Sequence, residues 1–421
     1  MASEVKTTEL TLHNGANGKA ETQVFNSEAD TYGSDTKTEN FESNDGPVGA
    51  REIDNSNEKE TIESNDGPVS VVEEPRRPLR SSGSLEKYKQ KDLTPEIGTE
   101  FPSANLVEWI NASNADELLR DLAIMISERG VVFFRSQSNL TNDLQKDLIH
   151  KLGVLTSKPV DSTLHIHPIL NSERELGGSD PEVSTISSAQ LKKYHSKSRF
   201  QKHKTQTGKL NWHSDIPYEP VPANYTLLRL TQLPETGGDT LWASGYEIYD
   251  RISPPYQKFL ESLTAKFAPP GFNEFAKQAG FDLYDKPRGS PANVGSVIEA
   301  VHPVVRTNPV TGWKSVFPIG HHIDRINDVS EEESKALLEW FLRLLVENHD
   351  LQVRFKWEGE NDVAIWDNRS FFHTATFDYE GYGERFGYRT VGIGEKPFYD
   401  PKSTSKSEAL AARVGKGEVD V

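Results

Sequence analysis

The chain has 421 residues and no cysteine, so disulfides, zinc–thiolate sites, iron–sulfur clusters and thiol nucleophiles are excluded together, and a reducing compartment, the cytoplasm, is expected. Its formal net charge of -17 is concentrated in one segment: residues 1–74 hold 17 Asp/Glu against 5 Lys/Arg, leaving about -5 for the rest, a balance that argues against broad nucleic-acid binding. No run of about 18 uncharged apolar residues, the length a membrane span needs, occurs anywhere.

The acidic segment is built from Ser, Thr, Asn, Glu and Gly, with Phe25, Tyr32 and Phe41 as its aromatics. It cannot bury enough apolar surface to offset its chain entropy, so residues 1–90 are expected to form a disordered acidic N-terminal tail. The heptapeptide Glu-Ser-Asn-Asp-Gly-Pro-Val occurs at Glu42–Val48 and again at Glu63–Val69, which reads as a drifted duplication in preference to a docking motif.

Order is expected from near Leu93, in one domain over 91–400 followed by a C-terminal tail over 401–421. Asn114 is placed to cap a helix to about Glu128 whose Leu118, Leu119, Leu122, Ile124 and Met125 form an apolar face, and Gly130 stops it before a strand at Val131–Phe134. A second helix runs over about Asn142 to Leu152. The stretch Asn171–Lys209 is polar, carries Lys192, Lys193, Lys197, Arg199, Lys202 and Lys204, and shows no periodicity, so it reads as a long solvated loop. Beyond it the pattern is largely β: Tyr225–Thr231, Thr240–Ala243, Ala300–Arg306, Trp313–Phe317, Gln352–Trp357, Asp362–Trp366 and Arg385–Ile393, mostly divided by turn-formers. One long helix interrupts these strands, opened by the capping box Ser330-x-x-Glu333 and carrying Leu337, Leu338, Phe341, Leu344 and Leu345 at helical spacing. The sum is a mainly β fold with flanking helices, a sandwich or jelly roll.

Two His-x-Asp tripeptides, His213-Ser-Asp215 and His322-Ile-Asp324, place a histidine and a carboxylate on one face of a strand, where both can reach one ion. Spacing to a third ligand favours the first pair. In a double-stranded β-helix the two-His-one-carboxylate site takes its last histidine from a late strand, and several strands fit between His213 and His373 but only two, with a helix, between His322 and His373. His321 and His322 are therefore assigned to the surface or to inter-element hydrogen bonds. Arg385 and Arg389 lie four apart on a strand and so face one side, with Gly387 between them leaving room for a small ligand. Two inward guanidiniums are costly to bury without an anion, and their planar fork fits a carboxylate or sulfonate. The residues alone leave open a cupin-like metal protein without oxygenase activity, or a zinc hydrolase with the same ligands.

Taken together, Asn211-Trp212-His213-Ser214-Asp215, the run Leu233-Pro234-Glu235-Thr236-Gly237-Gly238-Asp239-Thr240-Leu241-Trp242, the run Ile365-Trp366-Asp367-Asn368-Arg369 through His373, and Arg385 with Arg389 resemble the taurine dioxygenase (TauD/TfdA) family from about Leu93 to Phe398. The resemblance implies a double-stranded β-helix (jelly roll, cupin-like) that uses Fe(II), 2-oxoglutarate and O2. It implies His213, Asp215 and His373 as the catalytic iron ligands, with Thr240 and Arg385 binding 2-oxoglutarate. It also implies that His167, the second histidine of Leu164-His165-Ile166-His167-Pro168, and Arg389 bind a substrate sulfonate. Hydroxylation of the carbon next to sulfur would then release sulfite and an aldehyde, with succinate and CO2 as coproducts. Where the taurine enzymes place a Tyr and an Asn near the substrate amine, this chain has Leu170 and Lys209, which points away from taurine toward another alkanesulfonate, a sulfate ester or an aryloxyalkanoate being the alternatives. The implied partners are a small anionic organic substrate and further copies of the chain in a homo-oligomer.

Overall fold

Seven strands form the main sheet of the computed structural model, which describes residues 78–169, 179–189, 208–269 and 271–415. Their order is β1 (Lys91–Asp92), β2 (Thr99–Phe101), β3 (Val131–Phe134), β13 (Asp362–Asp367), β5 (Ala223–Gln232), β15 (Phe386–Ile393) and β4 (Ser184–Ser187). β3 and the middle of β13 read as unbroken apolar runs because both faces of the sheet are covered there. Val131, Phe133, Leu228, Leu230, Ala364 and Trp366 enter one core, while their alternating neighbours Val132, Phe134, Tyr225, Leu227, Val363 and Ile365 enter another. Each such side chain contributes about 1.5–3 kcal/mol when fully buried.

The first core lies against a second sheet, β12 (Gln352–Phe355), β6 (Thr240–Ser244) and β14 (Phe371–Ala375), through Phe355, Trp242 and Phe371. Two sheets packed face to face over shared side chains make the jelly-roll sandwich. The second core is closed by α1 (Leu106–Ile110), α2 (Ala115–Arg129) and α3 (Asn142–Leu155), which bring Trp109, Leu118, Leu122 and Leu148 down onto it. A further unit joins β7 (Thr264–Phe267), β8 (Ala300–Pro303) and β11 (Ile323–Ile326), while β9 (Val305–Thr307) pairs with β10 (Lys314–Val316). Three short helices, α4 (Gly245–Asp250), α5 (Pro254–Leu260) and α6 (Phe272–Ala279), link these parts. The long helix α7 (Glu331–Glu347) opens on the expected capping box, with both reciprocal bonds between Ser330 and Glu333 formed, and buries Phe341 and Leu345. No helix among the described residues is long and apolar enough to cross a membrane.

Several expectations change. The tail expected over 1–90 and its duplicated heptapeptide lie outside the described residues up to residue 77, but residues 78–90 are described. There the backbone and hydroxyl groups of Ser82 and Ser84 donate to the buried Asp121 carboxylate of α2 at 2.7–3.0 Å, and Leu85 is buried. The expected C-terminal tail contains α8 (Lys406–Gly415), whose buried Lys406 donates to Glu96 at 2.5 Å and Glu247 at 3.0 Å. The expected loop 171–209 contains β4, an edge strand on β15; its Ser-Thr-Ile-Ser sequence is too short and polar to announce itself. The basic cluster of that stretch and Leu170 lie outside the described residues. The single strand expected over Ala300–Arg306 is two, because β8 and β9 pair with different partners on either side of Val304.

Candidate active site

His213 and Asp215 were expected on a strand, yet only one bridge is formed. His213 follows a 3-10 turn, Gly208–Asn211, and exchanges both backbone hydrogen bonds with His373 of β14, at 3.0 and 2.8 Å. That bridge fixes the two histidines side by side, with rings 4.3 Å apart. Just beyond Asp215 the chain turns sharply at Ile216, φ 48°. Gly320, φ 109°, backs against this segment so closely that an added Cβ would lie 2.2 Å from the Trp212 carbonyl oxygen.

The carboxylate is positioned from the turn between β13 and β14. Asn368 Oδ1 accepts from the Asp215 N–H and the Trp366 indole, both at 3.0 Å, while its Nδ2 donates to Thr226 Oγ1 at 2.8 Å. On either side of Asn368, the buried Arg369 Nε and Nη2 both donate to Asp367 at 2.8 Å, and the guanidinium lies over the Tyr225 ring. The run Asp367-Asn368-Arg369 is thus a buried brace for the ligands.

One donor atom from each of His213, Asp215 and His373 lies within 4.8 Å of the others. The His213 Nδ1 donates to the Asn211 carbonyl at 2.8 Å, which leaves Nε2 to face the cluster. Burial, then the neighbouring His373, pushes His213 down to about 3, and burial pushes His373 down to about 4, so both rings are neutral at neutral pH and offer lone pairs. Burial opposes the charge on Asp215, but Arg389 and then the two histidines hold its carboxyl below the ordinary value. Asp215 Oδ2 is buried with no hydrogen-bond partner. Two neutral imidazoles and a charged carboxylate with an unpaired oxygen are a donor set that would hold Fe(II), which with 2-oxoglutarate and O2 would supply the oxidising chemistry.

Arg385 and Arg389 have different partners. Arg385, just before β15, donates from Nε to the Gly238 carbonyl at 2.9 Å and from Nη2 to Thr240 Oγ1 at 3.3 Å; the Trp357 indole donates to the same hydroxyl at 3.1 Å. It is 4% exposed, and no carboxylate among the described residues pairs with it. Burial pushes its guanidinium down to about 10, against the pull of Tyr379 and Asp239. Arg389 donates from Nη1 to Asp215 Oδ1 at 2.7 Å, and its Nε is buried without a partner. Gly387 does not open the ligand space expected of it. An added Cβ would stand 2.4 Å from the Arg229 carbonyl oxygen, so its small size serves the approach of β15 to β5 at a register shift.

His167 is buried, its Nδ1 accepting from the Ile169 N–H at 3.1 Å, and burial holds it well below the ordinary histidine range. Lys209 is exposed. The second His-x-Asp pair forms no centre, since Asp324 is exposed and bonds Arg325 at 2.7 Å. Its histidine nevertheless belongs to the site. His321 and His322, assigned to the surface or to inter-element hydrogen bonds, are half-buried, with rings 5.0 and 6.0 Å from that of His213. Tyr218, with its phenol pushed well above the ordinary range by burial and then by Glu219, and Phe272 of α6 also escaped the sequence reading. The only signal available was their nearness in sequence to His213 or to Gly271.

Comparison with known proteins agrees with this geometry. Residues 89–391 match the model of the taurine catabolism dioxygenase TauD, TfdA family. The alpha-ketoglutarate-dependent dioxygenase btcD of Neocamarosporium betae is 51% identical over 343 residues, covering 79% of this chain and 98% of that protein. An alpha-ketoglutarate-dependent sulfonate dioxygenase of Saccharomyces cerevisiae is 30% identical over 321 residues, covering 75% and 69%. A crystal structure of a taurine dioxygenase from Burkholderia xenovorans superposes with a TM-score of 0.54 at 24% identity, over 75% of this chain and 93% of that one, which bears out the jelly roll. The chain belongs to the TauD/TfdA family and is an Fe(II)- and 2-oxoglutarate-dependent dioxygenase.

Proposed function

We propose that the enzyme hydroxylates a small organic anion, an alkanesulfonate at the carbon next to sulfur, with His213, Asp215 and His373 holding the iron. Iron loaded with 2-oxoglutarate supplies the oxidising power, one oxygen atom of O2 going to succinate and the other to the substrate as CO2 leaves. The hydroxylated carbon then bears both a hydroxyl and the sulfonate. Loss of the hydroxyl proton expels sulfite and leaves an aldehyde.

The observation that carries this reading is the pair of guanidiniums around the metal cluster, Arg385 buried and Arg389 part-buried. Arg385 has no carboxylate partner among the described residues and lies against Thr240, an environment in which the distal carboxylate of 2-oxoglutarate would supply the missing charge. Arg389 stands on Asp215 with Nε unpaired, placed to take the anionic group of a substrate beside the metal. His167, neutral through burial, is assigned to the same anion. The sulfonate assignment draws on the S. cerevisiae relative, whose name carries that substrate class. Taurine itself is disfavoured because Lys209 is exposed and offers no amide to an amine.

The test is release of succinate and sulfite by purified enzyme given Fe(II), ascorbate, 2-oxoglutarate and a panel of alkanesulfonates, sulfate esters and aryloxyalkanoates, with His213→Ala as control. Matching succinate and sulfite support the reading. Substrate-dependent succinate without sulfite refutes the sulfonate and keeps the reaction class.

A further inference from the structure

A line of ring contacts leads from the metal cluster to His167. Centroids are separated by 6.0 Å from His213 to His322, 5.0 Å from His322 to Tyr218, 5.4 Å from Tyr218 to Phe272 and 5.6 Å from Phe272 to His167. The five rings come from four separate segments of the chain and together wall one side of the site. Such a wall would ordinarily be apolar, yet two of its members bring polar atoms that the protein leaves unused. Tyr218 is 1% exposed, and its hydroxyl has no hydrogen bond among the described residues. His322 Nδ1 is buried and likewise unpartnered. An unmade hydrogen bond at a buried polar atom costs about 1–3 kcal/mol, and natural folds carry few of them, so the buried His322 Nδ1 with an unpaired Tyr218 hydroxyl on the adjoining ring calls for a ligand.

The wall is also held in place. Glu219, next to Tyr218 in the chain, is fully buried and takes Arg288 Nε at 2.5 Å and Nη2 at 2.9 Å, with His165 Nε2 3.4 Å away. His302 Nε2 reaches the Pro217 and Glu219 carbonyl oxygens at 2.9 and 3.1 Å. The segment that carries Tyr218 is therefore fixed on both sides, as a residue that must present a hydroxyl at a defined point requires.

We infer that Tyr218 and His322 form a second polar subsite, which recognises an oxygen function (hydroxyl, carbonyl or carboxylate) that the substrate bears in addition to its anionic group. This rests on the assignment of the anionic group to Arg389 made above and names a second polar group of the same substrate. The rings of Phe272 and Tyr218, 5.4 Å apart, offer apolar faces to its carbon body. A plain alkyl chain would keep both polar atoms dry and unpaired, and a site built to hydrogen-bond a substrate oxygen rejects the analogue that lacks it.

The test is calorimetric binding, under anaerobic conditions, to enzyme loaded with Fe(II) and 2-oxoglutarate. Two matched pairs are compared: propane-1-sulfonate with 3-hydroxypropane-1-sulfonate, and butanoate with 4-hydroxybutanoate. In the wild type the hydroxylated member of the preferred pair binds about tenfold tighter, the worth of one or two hydrogen bonds. In Tyr218→Phe, which keeps the ring, that advantage shrinks to about twofold or less, while retained 2-oxoglutarate binding shows that the variant is folded. Equal affinities within both wild-type pairs, an advantage that survives in Tyr218→Phe, or binding by none of the four compounds overturns the subsite. A hydroxyl advantage found only among the carboxylates upholds the subsite and overturns the sulfonate reading, so the two failures are told apart.

Discussion

Replacing Arg385 by Met should separate stability from cosubstrate binding in an unusual direction. The guanidinium is 4% exposed and pushed down to about 10 by burial, and its hydrogen-bond partners are the Gly238 carbonyl and the Thr240 hydroxyl, with no carboxylate among the described residues. Removing one partner of a buried charge pair costs about 2–5 kcal/mol of binding, and a loss of about 3 kcal/mol raises the Kd for 2-oxoglutarate by about two orders of magnitude. Linkage converts this into a melting shift. At a concentration of about one hundred times the wild-type Kd the cosubstrate stabilises the wild type by about 2.7 kcal/mol, but a variant weakened a hundredfold by only about 0.4 kcal/mol. For a domain of this size the difference amounts to roughly 3–4 °C of Tm. Without ligand the variant melts no lower than the wild type, because an uncompensated buried charge leaves together with its two hydrogen bonds. Differential scanning calorimetry of the iron-loaded protein, with and without 2-oxoglutarate, reads both quantities. A variant that melts several degrees lower on its own and still shows the full wild-type shift would refute the argument.

The two His-x-Asp pairs part company on substitution: Asp215→Asn lowers iron retained after anaerobic desalting by about tenfold or more, whereas Asp324→Asn, changing an exposed group bonded to Arg325, leaves it at the wild-type level. Asn368→Ala removes the acceptor of the Asp215 N–H and of the Trp366 indole, so iron affinity in a competition titration falls about 10–100-fold although no ligand atom has changed. His302 is buried and pushed down to about 3 by burial and then by Arg306. The unfolded chain takes up a proton near the ordinary value of 6.5 and the folded chain does not, so stability is lost as pH falls below that value. The loss is about 2 kcal/mol by pH 5. His302→Gln removes this share of the slope in denaturant titrations at pH 7 and pH 5, and an unchanged slope would contradict it.

What could be read from the sequence is what nearby residues encode together. The capping box at Ser330 and Glu333 and the four-residue run of β3 depend on contacts within a few residues, and both are found where the pattern places them. The His213, Asp215 and His373 set was legible for a different reason: a metal needs few residue types, and these recur at a spacing that the jelly roll imposes. The wall of rings has no such code. Tyr218, Phe272 and His322 are neighbours only after three loops have folded over one another, and each, taken alone, looks like an ordinary aromatic in a connecting segment. The same limit explains the two arginines. Counting by twos along a strand sends Arg385 and Arg389 to one side, and the extra residue at the register shift between Phe386 and Gly387 lies on β5, at Thr231, so β15 keeps its alternation. What the count omits is the neighbours: Arg385 meets Thr240 while Arg389 meets Asp215. Two guanidiniums that periodicity places on one face thus have different neighbours, a hydroxyl beside one and a metal-site carboxylate beside the other, and the proposed division between a cosubstrate anion and a substrate anion rests on that difference.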